Sequence, residues 1–222
     1  MELEKIIYNI EQIDEYTKLN IADIKKCIES DDFLIRSDIV QAVTRFIGHD
    51  KIYEIIKEAT KDRNYIVRCD ACEALSFVCT SDSIHILTKR ARIDKSATVR
   101  SYALTSLVVI MKTVDCPTNI LNSLKESYLK EQSISVIISY LTLFYVLKRN
   151  MEYIHKALKY IDENDYQIRH GVINNIDAVI DSLSVGAVLA KYKERYMFEP
   201  VVSVKNALEI KISEYEEMMD IH

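Results

Sequence analysis

Asp32-Phe-Leu-Ile-Arg36, Asn64-Tyr-Ile-Val-Arg68, Ser96-Ala-Thr-Val-Arg100 and Asp165-Tyr-Gln-Ile-Arg169 repeat one pattern. Each opens on a polar residue and ends, four places on, in an Arg behind a β-branched residue. Three and seven places after each Arg stand Ile39 and Val43, Ala71 and Leu75, Ala103 and Leu107, Val172 and Ile176. Steps of three and four are the helical period, so each Arg opens the buried stripe of a helix. Arg36, Arg68 and Arg100 are evenly spaced, and the stretch from Arg100 to Arg169 leaves room for one further unit at Ser135. Ile138 fills the third place of that unit and polar Thr142 the seventh. A sixth unit falls at Lys205, with Val204 before it and Leu208 and Ile212 behind. Such a period marks stacked repeats, in which no unit buries its apolar face alone.

A polar turn, then a hydrophobic-Arg pair opening a helix with small residues behind it, resembles the HEAT repeat. That family places acids six and four positions before the Arg. Here those places hold Ser30 and Asp32, Asp62 and Asn64, Asp94 and Ser96, Glu163 and Asp165. The fourth unit (Leu129, Glu131, Ser135) and the sixth (Glu199, Val201, Lys205) depart from the pattern. The resemblance implies an all-α fold, an α-α superhelix (solenoid) of about six HEAT-like hairpins. It says little about function, because this fold serves many unrelated tasks. One repeat domain is expected over 1–222: a capping helix in 1–18, repeats over 19–215 and a tail at 216–222.

Composition agrees with an all-α chain. Three glycines and two prolines are too few for the turns of a hairpin-rich β fold, and 49% hydrophobic residues can supply a continuous core. Leu3, Ile6, Ile7, Ile10 and Ile13 form one apolar stripe on an opening helix. Outer helices are expected near 19–29, 50–60, 81–92, 117–130, 150–162 and 184–197. Met1-Glu-Leu-Glu-Lys5 puts acids where a secretory signal needs bases. The uncharged run from Gln132 to Leu147 falls short of the roughly 20 residues a spanning helix needs. No membrane association and a cytoplasmic location are expected.

Several chemistries find no residues here. Cys69-x-x-Cys72, with Cys79 and His85, suggests a metal tetrad, but the pair lies inside an inner helix where Cys72 takes a small buried slot. No metal and no cofactor are expected. No G-x-S-x-G or H-E-x-x-H occurs, and three glycines cannot build a phosphate-cradling loop. Deoxyhypusine hydroxylases, built on HEAT repeats, hold iron through His-Glu dipeptides, and this chain has none. Alkylpurine DNA glycosylases on similar repeats depend on Trp around an Asp in a basic cleft; there is no Trp here. The bilin-lyase-like repeat proteins have no compact motif to test.

The arginines Arg36, Arg68, Arg100 and Arg169 read as a structural ladder, because acids travel with them and a phosphate reader would not supply competing anions. Residues 1–80 hold sixteen acids against eleven bases and the rest eighteen of each, so the whole net charge of −5 lies in the first part. That balance speaks against nucleic acid. In a HEAT stack the second helix of each unit lines the concave side. The residues two and five places after the Arg are then Asp38, Gln41, Asp70, Glu73, Tyr102, Thr105, Tyr140 and Asn174. The acids would face a basic partner, with Tyr102 and Tyr140 as anchors and Phe77 and Phe144 as core. The expected function is a non-enzymatic protein-binding scaffold, in concrete form an immunity protein or antitoxin masking a basic toxin. The alternative is a HEAT-like enzyme, related to the alkylpurine DNA glycosylases or the bilin lyases.

Overall fold

The computed structural model describes residues 2–220. They are all-helical, with no strand among them. The chain divides into two compact units, the first ending at Ile110 and the second beginning at Met111.

In the first unit, α1 (Glu2–Glu11) precedes three hairpins. These pair α2 (Ile21–Ile28) with α3 (Phe33–Val43), α4 (Asp50–Ala59) with α5 (Tyr65–Leu75), and α6 (Ser81–Ile93) with α7 (Ala97–Met111). Helix α1 packs against α2 and α3, and α3 lies along α5. The second unit repeats the plan with α8 (Thr118–Tyr128) and α9 (Ile134–Lys148), α10 (Met151–Leu158) and α11 (Tyr166–Asp177), and α12 (Val185–Tyr196) and α13 (Val202–Asp220). Its inner helices also lie side by side, α9 on α11 and α11 on α13. This is the HEAT-like α-solenoid fold, and the six outer helices begin and end within a few residues of the expected ranges.

Local chemistry sets the helix starts. Asp32, Asn64 and Asp165 accept from the amides of Leu34 (2.9 Å), Ile66 (2.8 Å) and Gln167 (2.8 Å), the N-caps of three inner helices. Asn20 and Asn150 cap outer helices in the same way, and Thr80 and Ser83 form a reciprocal capping box on α6. The third and seventh places after the arginines are all fully buried, from Ile39 and Val43 to Val172 and Ile176. Polar Thr142 is buried too, because its hydroxyl donates to the carbonyls of Ile138 (3.3 Å) and Ser139 (3.1 Å) within its own helix. Ile35, Val67 and Val99 lie in the core before their arginines, whereas Ile168 is only half-buried. Helix α1 stops at Glu11, so Ile13 lies beyond it.

The arginines tie each hairpin to the next. Arg36 bonds both carboxylate oxygens of Asp62, Nε at 2.7 Å and Nη2 at 2.9 Å. Arg68 does the same to Asp94 (2.9 and 2.8 Å), and Arg169 to Glu199 (2.8 and 2.6 Å). Asp62, Asp94 and Glu199 stand six places before Arg68, Arg100 and Lys205, the pattern residues of their own units. Each also accepts a backbone amide two residues on: Asn64 (2.7 Å), Ser96 (2.9 Å) and Val201 (2.9 Å). The third guanidinium nitrogen points backwards, as Nη1 of Arg36, Arg68, Arg100 and Arg169 donates to the carbonyl six places earlier at 2.7, 2.9, 2.9 and 2.7 Å. A two-pronged guanidinium bond of this kind is among the stronger polar contacts a protein makes.

The Arg68–Asp94 and Arg169–Glu199 pairs are buried and Arg36 is buried against a half-buried Asp62, so their energetics rest on completeness rather than on charge alone. Burial by itself pushes the Asp94 carboxyl up; the Arg68 bonds and the Ser96 amide outweigh it, and the net direction is down. Glu199 follows the same logic, with burial opposed by Arg169, the Val201 amide and Arg195, and falls to about 2 from an ordinary 4.5. Arg68→Ala takes the two-pronged partner from buried Asp94 and leaves it the Ser96 amide and a 3.3 Å bond from Arg90, and urea unfolding should register a loss of about 3 kcal/mol. The paired replacement Arg68→Met with Asp94→Leu should cost distinctly less.

Proton linkage gives a second expectation. A carboxyl with a depressed value stabilises the fold fully above its unfolded value and loses that contribution as pH falls through its folded value. For Glu199 the window runs from 4.5 down to about 2. Across it, wild type should lose about 3 kcal/mol that Glu199→Gln, already weaker at neutral pH, does not lose. Urea titrations at a series of pH values measure the difference.

Candidate functional site

Six of the expected groove residues belong to the first unit, and four of them meet. Gln41 of α3, Asp70 and Glu73 of α5 and Tyr102 of α7 line one cleft of about 430 Å³, joined by Thr44, Ala74 and Phe77. Asp38 lies exposed one helical turn before Gln41. Thr105 is half-buried, and its hydroxyl donates to the carbonyls of Ser101 (3.3 Å) and Tyr102 (2.9 Å). Tyr140 and Asn174 belong to the second unit, and Asn174 is exposed there.

The cleft follows from the period. Asp70 stands two places after Arg68, so a helix whose Val67 and Ala71 face inward carries Asp70 on its open side. Its carboxylate accepts from Ser37 Oγ (2.5 Å) and Gln41 Nε2 (3.2 Å), both on α3. Burial pushes Asp70 up, and the charge of Asp38 adds to that, against the two hydrogen bonds. The Tyr102 hydroxyl is also pushed up, first by burial and then by Cys69, Glu73 and Asp70. A half-buried carboxylate bonded to two neutral donors and facing further acids attracts cations.

Two aromatic expectations are corrected. Tyr140 is 0% exposed and cannot anchor a partner. Its ring packs edge-on to Tyr128 of α8 at 5.9 Å and lies 5.9 Å from Phe144. Helix α9 is apolar on every side, so counting places along it singles out no open face. Phe77, expected in the core, is 69% exposed. Helix α5 ends at Leu75, and Phe77 sits in the turn beyond, where the helical period no longer applies. The capping box at Thr80 and Ser83 marks a helix start just after Phe77, and it was the available sign that α5 had to stop earlier. Phe144 is buried.

Cys69 and Cys72 are both buried. Burial pushes the Cys69 thiol up to about 12 and Cys72 upward as well, so neither is a ready thiolate. Among the described residues no group of three or more His, Cys, Asp or Glu is placed to hold a metal ion. Among them, too, no helix is long and apolar enough to cross a membrane.

Helical hairpins clamped at a fixed period define a helical-repeat protein. Residues 21–108 match the family model for HEAT repeats. No curated protein matches it. A solved chain from Nostoc sp. PCC7120, in the complex of CpcE and CpcF of phycocyanin lyase, is similar over 92% of this chain and 97% of its own. The identity is 13% and the TM-score 0.47, too low to carry anything about activity. The similar chain is part of a lyase, and the expectation that this chain performs no chemistry is not kept.

The contrast between the two tyrosines is measurable. Tyr140→Ala should cost about 3–5 kcal/mol of stability, the range for emptying a buried aromatic site. Tyr102→Ala, at a residue 41% exposed, should stay within about 1 kcal/mol. Chemical denaturation of the two variants side by side tests the assignment.

Proposed function

We propose that the HEAT repeats of this chain are a protein-docking scaffold, and that the inner-helix face of the first unit receives a basic partner. The observation behind it is the cleft: Asp70 and Glu73 share its wall with exposed Phe77 and Tyr102. Exposed aromatic rings beside acids fit the anchors and the charge complementarity of protein interfaces. The surplus of acids over bases in residues 1–80 supports the same direction. In its most concrete form the partner is a basic, nuclease-like toxin, and this chain is the cytoplasmic immunity protein that masks it. Five free cysteines agree with a reducing compartment.

The test compares two baits in a lysate of the native host. One is the wild-type chain and the other carries Asp38→Lys and Glu73→Lys. Asp70 is left alone because its bonds to Ser37 and Gln41 hold α3 to α5. Partners of this face should be held by wild type at low salt, lost from the reversed bait, and weakened as salt shortens the reach of exposed charges to about 8–10 Å. A salt-insensitive set of partners common to both baits would remove the docking role from this face. Bilin attachment, the enzymatic reading weighed from the sequence, is checked separately with phycocyanobilin and apo-phycocyanin. A coloured covalent adduct formed only when the chain is present would replace the docking reading.

A further inference from the structure

We propose that the cleft between α3, α5 and the start of α7 is a receptor for a single arginine side chain of the docking partner. The proposal rests on the docking reading and specifies its chemistry. A cleft of about 430 Å³ is small for a folded surface and ample for one long side chain. Its polar lining is acceptor-rich, with the carboxylates of Asp70 and Glu73, while its apolar lining is chiefly the rings of Phe77 and Tyr102. Phe77 is 69% exposed and lies in a turn, a position that gives the ring nothing to cover within its own helix.

Each part of an arginine finds a counterpart there. The guanidinium is planar, so it can lie against an aromatic ring while its N–H groups reach carboxylates in its own plane. Asp70 is held by Ser37 and Gln41, two neutral donors, and a carboxylate has acceptor sites beyond those two bonds. Its position is therefore set before a ligand arrives, while its charge is not neutralised. The aliphatic stem of the arginine covers the ring surface that water otherwise meets. Lysine brings the charge without the plane, and citrulline brings the plane without the charge.

Three capped tripeptides, Gly-Arg-Gly, Gly-Lys-Gly and Gly-citrulline-Gly, are titrated into the full chain while the ring resonances of Phe77 and Tyr102 are followed by NMR. The arginine peptide should shift both rings saturably, with a Kd on the order of 1 mM. The lysine peptide should bind more weakly, and the citrulline peptide about tenfold more weakly than arginine. Phe77→Ala should weaken arginine binding about tenfold without lowering the melting temperature, since its ring is exposed. Phe198→Ala, at a residue 77% exposed in the second unit, should leave binding unchanged. Equal binding of arginine and citrulline, or indifference to Phe77→Ala, overturns the receptor. The two readings separate cleanly. If the reversed bait loses a partner yet the arginine peptide does not bind, docking stands and the receptor falls. If the peptide binds and no partner depends on this face, the receptor stands and docking falls.

Discussion

The two-pronged bond from an inner-helix arginine to the acid at the head of the next hairpin constrains everything around it. The pairs are buried, and a buried charge is tolerable only when its partners are complete. That requirement sets where each turn ends, since the acid must also receive the amide two residues on. It sets where each inner helix begins, because the arginine reaches back to the carbonyl six places earlier. It sets register too: a slip of one residue between hairpins would leave both a guanidinium and a carboxylate without partners. Hydrophobic burial drives the hairpins together, but burial is non-directional, and the clamps select one arrangement from many.

Departures from the repeat pattern make sense on the same ground. Ser30 stands where the second, third, fifth and sixth units have an acid, and it meets Arg36 through its carbonyl. Ser135 stands where an arginine is expected and bonds Ser133 instead, at 2.9 Å. Lys205 replaces the arginine of the sixth unit, and its ammonium lies 4.9 Å from the centre of the Tyr196 ring. The clamp is therefore a local device used between particular hairpins, with other contacts serving where it is missing.

Much of this was legible in the residues, because a clamp needs an Arg and an acid at a fixed distance and the core needs apolar residues three and seven places on. Both leave periodic marks. The polar residues of this face were legible for the same reason, as Asp38, Gln41, Asp70 and Glu73 occupy repeated places on well-patterned helices. Tyr140 was not, because Ile134–Lys148 is apolar all round and burial there depends on neighbours that no local pattern reveals. Phe77 was missed for a different reason: periodicity was carried past Leu75, the last residue of α5. Asp70 has a double character that spacing alone could not disclose. It serves the packing of α3 against α5 and the chemistry of the cleft at once, so substitutions there confound stability with binding.

One property of the clamps concerns how such a chain can grow. The stretch from Asp62 to Ile93 carries an acid that answers the arginine behind it and an arginine that needs the acid ahead. A tandem copy of that stretch would meet the old partners at its outer edges and supply a matched pair at the new junction. No charge would be orphaned, and the cleft-forming places would be copied with it. A block of any other length would break this register and part an acid from the arginine it answers. Duplication is thus tolerated in whole units of the period, and lengthening the array adds surface without redesigning the interior.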